Sequence, residues 1–161
     1  MKRQWTLVTA IVAFAAIGLM AQTPPSFAGK WTLVPDANAP AGGGRGMGGL
    51  GQTATVVQDA NTLTITRTTP MGEITSTYKL DGTESKNTFN MQGNSIEQLS
   101  TAKWDAGKLK ITTNMNVQGN AVETSMVLSF DPSGNLVVEY TRPDFQGGGA
   151  AITTKMTYKK N

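Results

Sequence analysis

The 161-residue sequence contains no cysteine and no histidine. Without cysteine there is no disulfide, no thiolate nucleophile and no lipid-modified cysteine, so an exported fold must be held by its own apolar core. Without histidine the commonest general base, metal ligand and haem ligand are missing. Charge is also sparse. Of the eleven acidic residues, Asp59, Asp81, Asp105 and Asp131 fall at turns and Glu97, Glu123 and Glu139 on outward-facing positions, so no acid and base pair can be assembled. No enzymatic activity, no cofactor and no metal are expected. The Asp-rich turns also lack the repeated acidic spacing of calcium loops.

Long apolar runs are absent but for one. TLVTAIVAFAAIGLM, from Thr6 to Met20, follows Lys2 and Arg3 and is broken by Gln22, Thr23, Pro24 and Pro25. This is the n-region and h-region of a secretory signal, and it falls short of the roughly 20 apolar residues that a spanning helix needs. The expectation is a signal peptide over 1–21, an exported product in the periplasm or outside the cell, and no transmembrane segment in the mature chain. Cleavage after Ala21 leaves Leu19 three residues back. Cleavage after Ala28 has the smaller Ser26 and Ala28 but would remove Phe27 from the start of a strand, so the cut after Ala21 is preferred. Loss of Lys2 and Arg3 lowers the net charge from +3 to +1, which gives no sign of a nucleic-acid partner.

What the rest of the chain holds is alternation with period two, rich in Thr, Val, Ile and aromatics, and no helical period. It predicts an all-β chain with strands over 28–34, 53–58, 62–68, 73–80, 85–90, 95–104, 108–115, 121–130, 135–142 and 151–159. Asp followed by Gly or Asn punctuates the strands at Asp59, Asp81, Asp105 and Asp131, which is tight-turn chemistry. A repeat is visible once 26 residues are slid past each other: NMQGNSIEQLSTAKWD (90–105) against NVQGNAVETSMVLSFD (116–131). A long antiparallel meander with one apolar face avoids exposed edges by closing, so 22–161 is read as one up-and-down barrel of about 8–10 strands. Lys79, Lys103, Lys110, Glu123, Glu139, Lys155 and Lys159 fall on the outward phase, against the apolar belt of an outer-membrane barrel.

Gly29-Lys30-Trp31, in the first strand after the leader, resembles the Gly-x-Trp opening of the lipocalins, and the chain resembles the calycin class of small secreted barrels. The resemblance implies a ligand-binding barrel closed at one end by Trp31, with an Arg of the last strand covering it. Here the last predicted strand offers Lys155 and Lys159 instead, and the nearest Arg is Arg142, one strand earlier. Ten strands are closer to the fatty-acid-binding branch, whose helical lid is replaced by the glycine-rich loop 39–52.

In a meander alternate turns share an end, so the four Asp turns gather at one end. The glycine-rich connections 41–52, 69–73, 91–94, 117–120 and 143–150 gather at the other, which becomes the expected mouth. Met47, Met71, Met91 and Met115 lie in or beside those connections, where a flexible thioether suits adaptable apolar contact. Arg67 shares a face with Leu63 and Ile65, and Arg142 with Leu136, Val138 and Tyr140. Both guanidinium groups are therefore expected inward near the mouth, where each needs a carboxylate, water or an anionic ligand. Ile96, Gln98, Ser100, Ala102 and Trp104 share the inward phase of the sixth strand, where the small or polar Ser100 and Ala102 leave space that Leu would fill, so a cavity is expected, apolar at the Asp-turn end and mixed toward the mouth. The glycine-rich segment lacks the Gly-Lys-Ser/Thr of a phosphate loop and reads as a flap carrying Arg45.

The expected function is binding of a small amphipathic or hydrophobic molecule through Arg67, Arg142, Tyr140, Met71, Met91, Met115, Phe145, Gln98 and Ser100. The alternative is a solid barrel that contacts an envelope protein through Met47, Met71 and Phe145.

Overall fold

The computed structural model describes residues 23–35, 48–69, 72–91, 93–117, 119–145 and 148–161, with the backbone alone at Met91. The 1–21 leader, Arg45, Met47, Met71 and most of loop 39–52 lie outside the described residues. Among the described residues there are ten strands and no helix. They are β1 (Gly29–Leu33), β2 (Thr53–Gln58), β3 (Thr62–Thr69), β4 (Gly72–Lys79), β5 (Glu84–Met91), β6 (Asn94–Asp105), β7 (Lys108–Val117), β8 (Asn120–Phe130), β9 (Leu136–Arg142) and β10 (Ile152–Lys160). Each boundary falls within two residues of its predicted place, because Gly, Asn and Asp mark the ends and alternation marks the middles.

The ten strands form one antiparallel sheet in the order β4-β3-β2-β1-β10-β9-β8-β7-β6-β5. Every neighbour is a sequence neighbour except β1 and β10, which pair the two ends of the chain through Trp31 opposite Lys160 and Leu33 opposite Tyr158. The ring is nearly closed, and the one remaining seam lies between β4 and β5, which share no backbone ladder. Side chains bridge it in place of the ladder. The Lys79 N–H donates to Ser85 Oγ at 2.8 Å, the Thr77 N–H donates to Asn87 Oδ1 at 2.8 Å, and Asn87 Nδ2 donates back to the Thr77 carbonyl at 3.0 Å.

The Asp turns lie together at one end, as the alternation requires. Three of them work through the carboxylate. Asp59 Oδ1 accepts the N–H groups of Asn61 and Thr62, Asp81 Oδ1 accepts that of Thr83, and Asp131 Oδ1 accepts those of Ser133 and Asn135. These donors favour the ionised form and hold all three carboxyls below the usual range: backbone donors lead at Asp59, the Thr83 hydroxyl at Asp81 and the Asn135 amide at Asp131. The fourth turn differs from the expected Asp chemistry. Ala106 and Gly107, at φ of 45° and 78°, join β6 to β7 as a two-residue turn with both centres left-handed.

The same end is filled by aromatics. Trp104 and Phe130 each precede a turn Asp, and Phe27 stacks on Trp104 at 5.8 Å and meets Phe130 at 5.1 Å. Trp31 completes the layer 6.0 Å from Phe130. The segment before β1 is tied down by its own polar groups. The Phe27 N–H donates to Gln58 Oε1, Gln58 Nε2 donates to the Pro25 carbonyl, and Trp31 Nε1 donates to the Phe27 carbonyl at 2.9 Å. Trp31 is therefore a buried core residue of this layer. The residue that covers it is Lys160, whose Nζ lies 5.7 Å from the indole centroid. Lys155 and Lys159 are exposed on the outward phase instead. Lys160 escaped the sequence reading because β10 runs one residue further than predicted, which returns the alternation to the inward face.

All seven charged positions assigned to the outer surface, from Lys79 to Lys159, are exposed.

Candidate functional site

Above the aromatic layer the barrel is packed with Leu63, Leu109, Leu128, Leu136 and Val138, all fully buried. The glycine-rich segment then enters the barrel. Leu50 is fully buried, its N–H donates to Tyr158 Oη at 3.2 Å, and Tyr158 Oη donates to the Gly51 carbonyl at 3.0 Å. Burial pushes the Tyr158 phenol up to about 12, so it stays a donor at any ordinary pH. The close approach needs glycine. A Cβ at Gly48 would lie 2.6 Å from the Tyr140 ring, and one at Gly51 would lie 2.8 Å from the Thr68 carbonyl oxygen. The expected flap thus has an inner end built into the core.

Beyond that segment the interior is open, as a cavity of about 370 Å³, within the range of small-molecule sites. The registers of β6, β7 and β8 resolve its wall into levels. Ile111 opposite Met126 forms the floor, and Thr113 opposite Thr124 lies one step above. Met115 stands between Gln98 and Val122 one step higher, and Val117 lies at the rim. Arg67 on β3 and Ile74 and Tyr78 on β4 line another side, Phe89 on β5 and Tyr140 on β9 flank the β6–β8 wall, and Phe145, 64% exposed, stands at the mouth.

Arg67 is half-buried and its Nη1 donates to the Gly49 carbonyl at 2.9 Å. The ion pair of Lys86 with Glu97 lies on the outer surface, away from Arg67. The Arg67 charge is felt by its neighbours. Burial pushes the Tyr78 phenol up, opposed by the Ser76 hydrogen bond and the Arg67 charge. The result is a cationic, phenol-flanked wall facing a partly polar one, an arrangement able to hold an anionic or hydrogen-bonding group.

Of the residues expected in a site, the structure brings Arg67, Gln98, Met115, Tyr140 and Phe145 together on this cavity. Arg142 shares the inward phase with Tyr140 but does not line the cavity. As the last residue of β9 its guanidinium turns back, Nη1 donating to the Pro143 carbonyl at 3.4 Å. Ser100 is buried and spends its hydroxyl on Thr113 Oγ1 at 2.8 Å, behind the cavity rather than on it. Met71 and the side chain of Met91 lie outside the described residues. Toward the Asp turns, where an apolar part of the cavity is expected from the sixth and eighth strands, the interior is solid, and the open volume begins at mid-height. Sequence reasoning missed Tyr78, Thr113 and Thr124. Their signal was available in the alternation of β4, where Ile74, Ser76 and Tyr78 share a face, and in the repeat, which makes Thr124 the counterpart of Gln98.

No model of a known protein family matches this chain, and no curated protein matches it by sequence.

Proposed function

We propose that the protein is an exported, non-catalytic, calycin-like binding barrel, periplasmic or extracellular, that holds one small amphipathic molecule with its polar or anionic end at Arg67. The observation that carries this is the cavity itself. A barrel with buried Leu and aromatic layers elsewhere keeps about 370 Å³ open beside a half-buried guanidinium that donates to the Gly49 carbonyl. A cation in such a place is costly unless water or an anion satisfies it. The Thr6 to Met20 run supports export. The envelope-contact alternative requires a solid barrel, which a cavity of this size argues against.

The test is uptake of a fluorescent polyene fatty acid by the chain beginning at Gln22. One probe per chain is expected, with affinity weakened about tenfold or more by Arg67→Met, as for a lost charged hydrogen bond. A neutral polyene alcohol should lose little from that substitution. No uptake of either probe would overturn the reading.

A further inference from the structure

Gln98 and Thr124 are each 8% exposed and line the cavity, and their side chains have no hydrogen-bond partner among the described residues. No buried side-chain nitrogen or oxygen in the described structure is closed off without a partner, so the open polar atoms of these two residues face the cavity. They come from equivalent positions of the 26-residue repeat, on β6 and β8, and β7 between them places Met115 against Gln98 and Thr113 against Thr124. Thr113 is already engaged with Ser100 at 2.8 Å, which leaves the Gln98 amide and the Thr124 hydroxyl as the free pair. In the ring of ten strands β8, with Thr124, stands five strands from β3 in either direction and so faces Arg67 across the cavity, whereas β6, with Gln98, stands three strands from β3 by way of β4 and β5.

We infer that Gln98 and Thr124 form a second, neutral subsite that recognises an amide, so that the ligand is an N-acyl amino acid or acylated peptide end rather than a plain fatty acid. The inference rests on the binding reading above and adds the class of ligand. A carboxamide and a hydroxyl each offer a donor and an acceptor. A secondary amide presents an N–H on one edge and a C=O on the other, which satisfies both. A hydrocarbon segment at the same place would strip water from Gln98 and Thr124 and return nothing, and sites built to hydrogen-bond reject analogues that lack the group. The carboxylate of the same ligand meets the planar fork of Arg67, and its acyl chain has the apolar rim of Met115, Val117 and Phe145 to lie against.

The experiment is calorimetric titration of the chain from Gln22 with N-decanoylglycine and with tridecanoic acid, acids of equal chain length that differ by the amide. N-decanoylglycine is expected to bind about tenfold or more tightly, the scale of unsatisfied buried polar groups. Gln98→Leu and the isosteric Thr124→Val should each remove most of that preference, by weakening N-decanoylglycine and by tightening tridecanoic acid, which no longer desolvates a polar group there, and Arg67→Met should weaken both acids alike. Thermal melts establish that each variant is folded, and either of the two wall variants suffices. Equal affinity for the two acids in the unaltered chain, or a preference that survives both wall substitutions, would overturn the amide subsite while the binding reading stands. Binding of neither acid would instead overturn the anionic-ligand reading on which the subsite rests.

Discussion

The two ends of this barrel are made by the same strands and differ in what fills them. At the Asp-turn end four aromatic rings, Phe27, Trp31, Trp104 and Phe130, lie within 5.1 to 6.0 Å of a neighbour, and the chain before β1 is bonded across them. At the other end the inward positions carry Thr113, Thr124, Gln98 and Arg67, and the interior stays open. Large rings fill a tapering cylinder and short polar side chains leave it hollow. Stability and binding are thereby assigned to separate ends, and substitutions should affect one without the other.

The sharpest break of that separation is Trp31→Ala. It removes a buried indole and leaves the Phe27 carbonyl without its 2.9 Å donor. The expected cost is about 3–5 kcal/mol, that of truncating a core aromatic, read as a fall in the urea midpoint. Trp31 does not line the cavity, so probe affinity measured well below the new midpoint should be unchanged. A large loss of affinity with the fold intact would show that the two ends are coupled.

The closed end was the more legible of the two. Gly29-Lys30-Trp31, the four Asp turns and the alternation of β6 and β8 placed the strands, the ring closure and the buried Trp without coordinates. The open end was legible only in part, because a phase says which side a residue faces and nothing about its reach. Arg67 and Arg142 share the same alternation argument. Arg67 lies two residues inside its strand and is held by Gly49, whereas Arg142 is the last residue of its strand and bends to its own neighbour. The entry of Leu50 into the core could not be read at all. Glycine-rich sequence signals freedom of backbone, and the contacts that use it come from Tyr158 and Arg67, remote in sequence.

That entry supplies a middle case between the two ends. Gly51 adopts φ of +74° and its absent side chain would meet the backbone oxygen of Thr68 at 2.8 Å, a neighbour that cannot rotate away. Gly51→Ala should cost about 1–3 kcal/mol from the left-handed strain and the contact together. Because Gly49 supplies the carbonyl that holds Arg67, the same substitution should also weaken binding of an anionic probe. A stability loss with unchanged affinity would mean that Arg67 is positioned by its strand alone.

The smallest effect belongs to the fourth Asp turn, where the closed end carries a local cost. Ala106 sits at φ of 45°, a conformation that a Cβ disfavours, and Asp105 has no carboxylate cap of the kind that steadies the other three turns. Two-residue turns of this geometry favour Asn or Gly at both centres. Ala106→Asn should therefore stabilise the barrel by about 0.5–1 kcal/mol by relieving strain at a position the fold already dictates. The turn is exposed and distant from the cavity, so the gain should appear as a higher melting temperature with probe affinity unaltered. If the substitution were neutral or destabilising, the neighbouring strands rather than the turn residues would be setting the backbone there, and the aromatic layer beneath would be the source of the constraint.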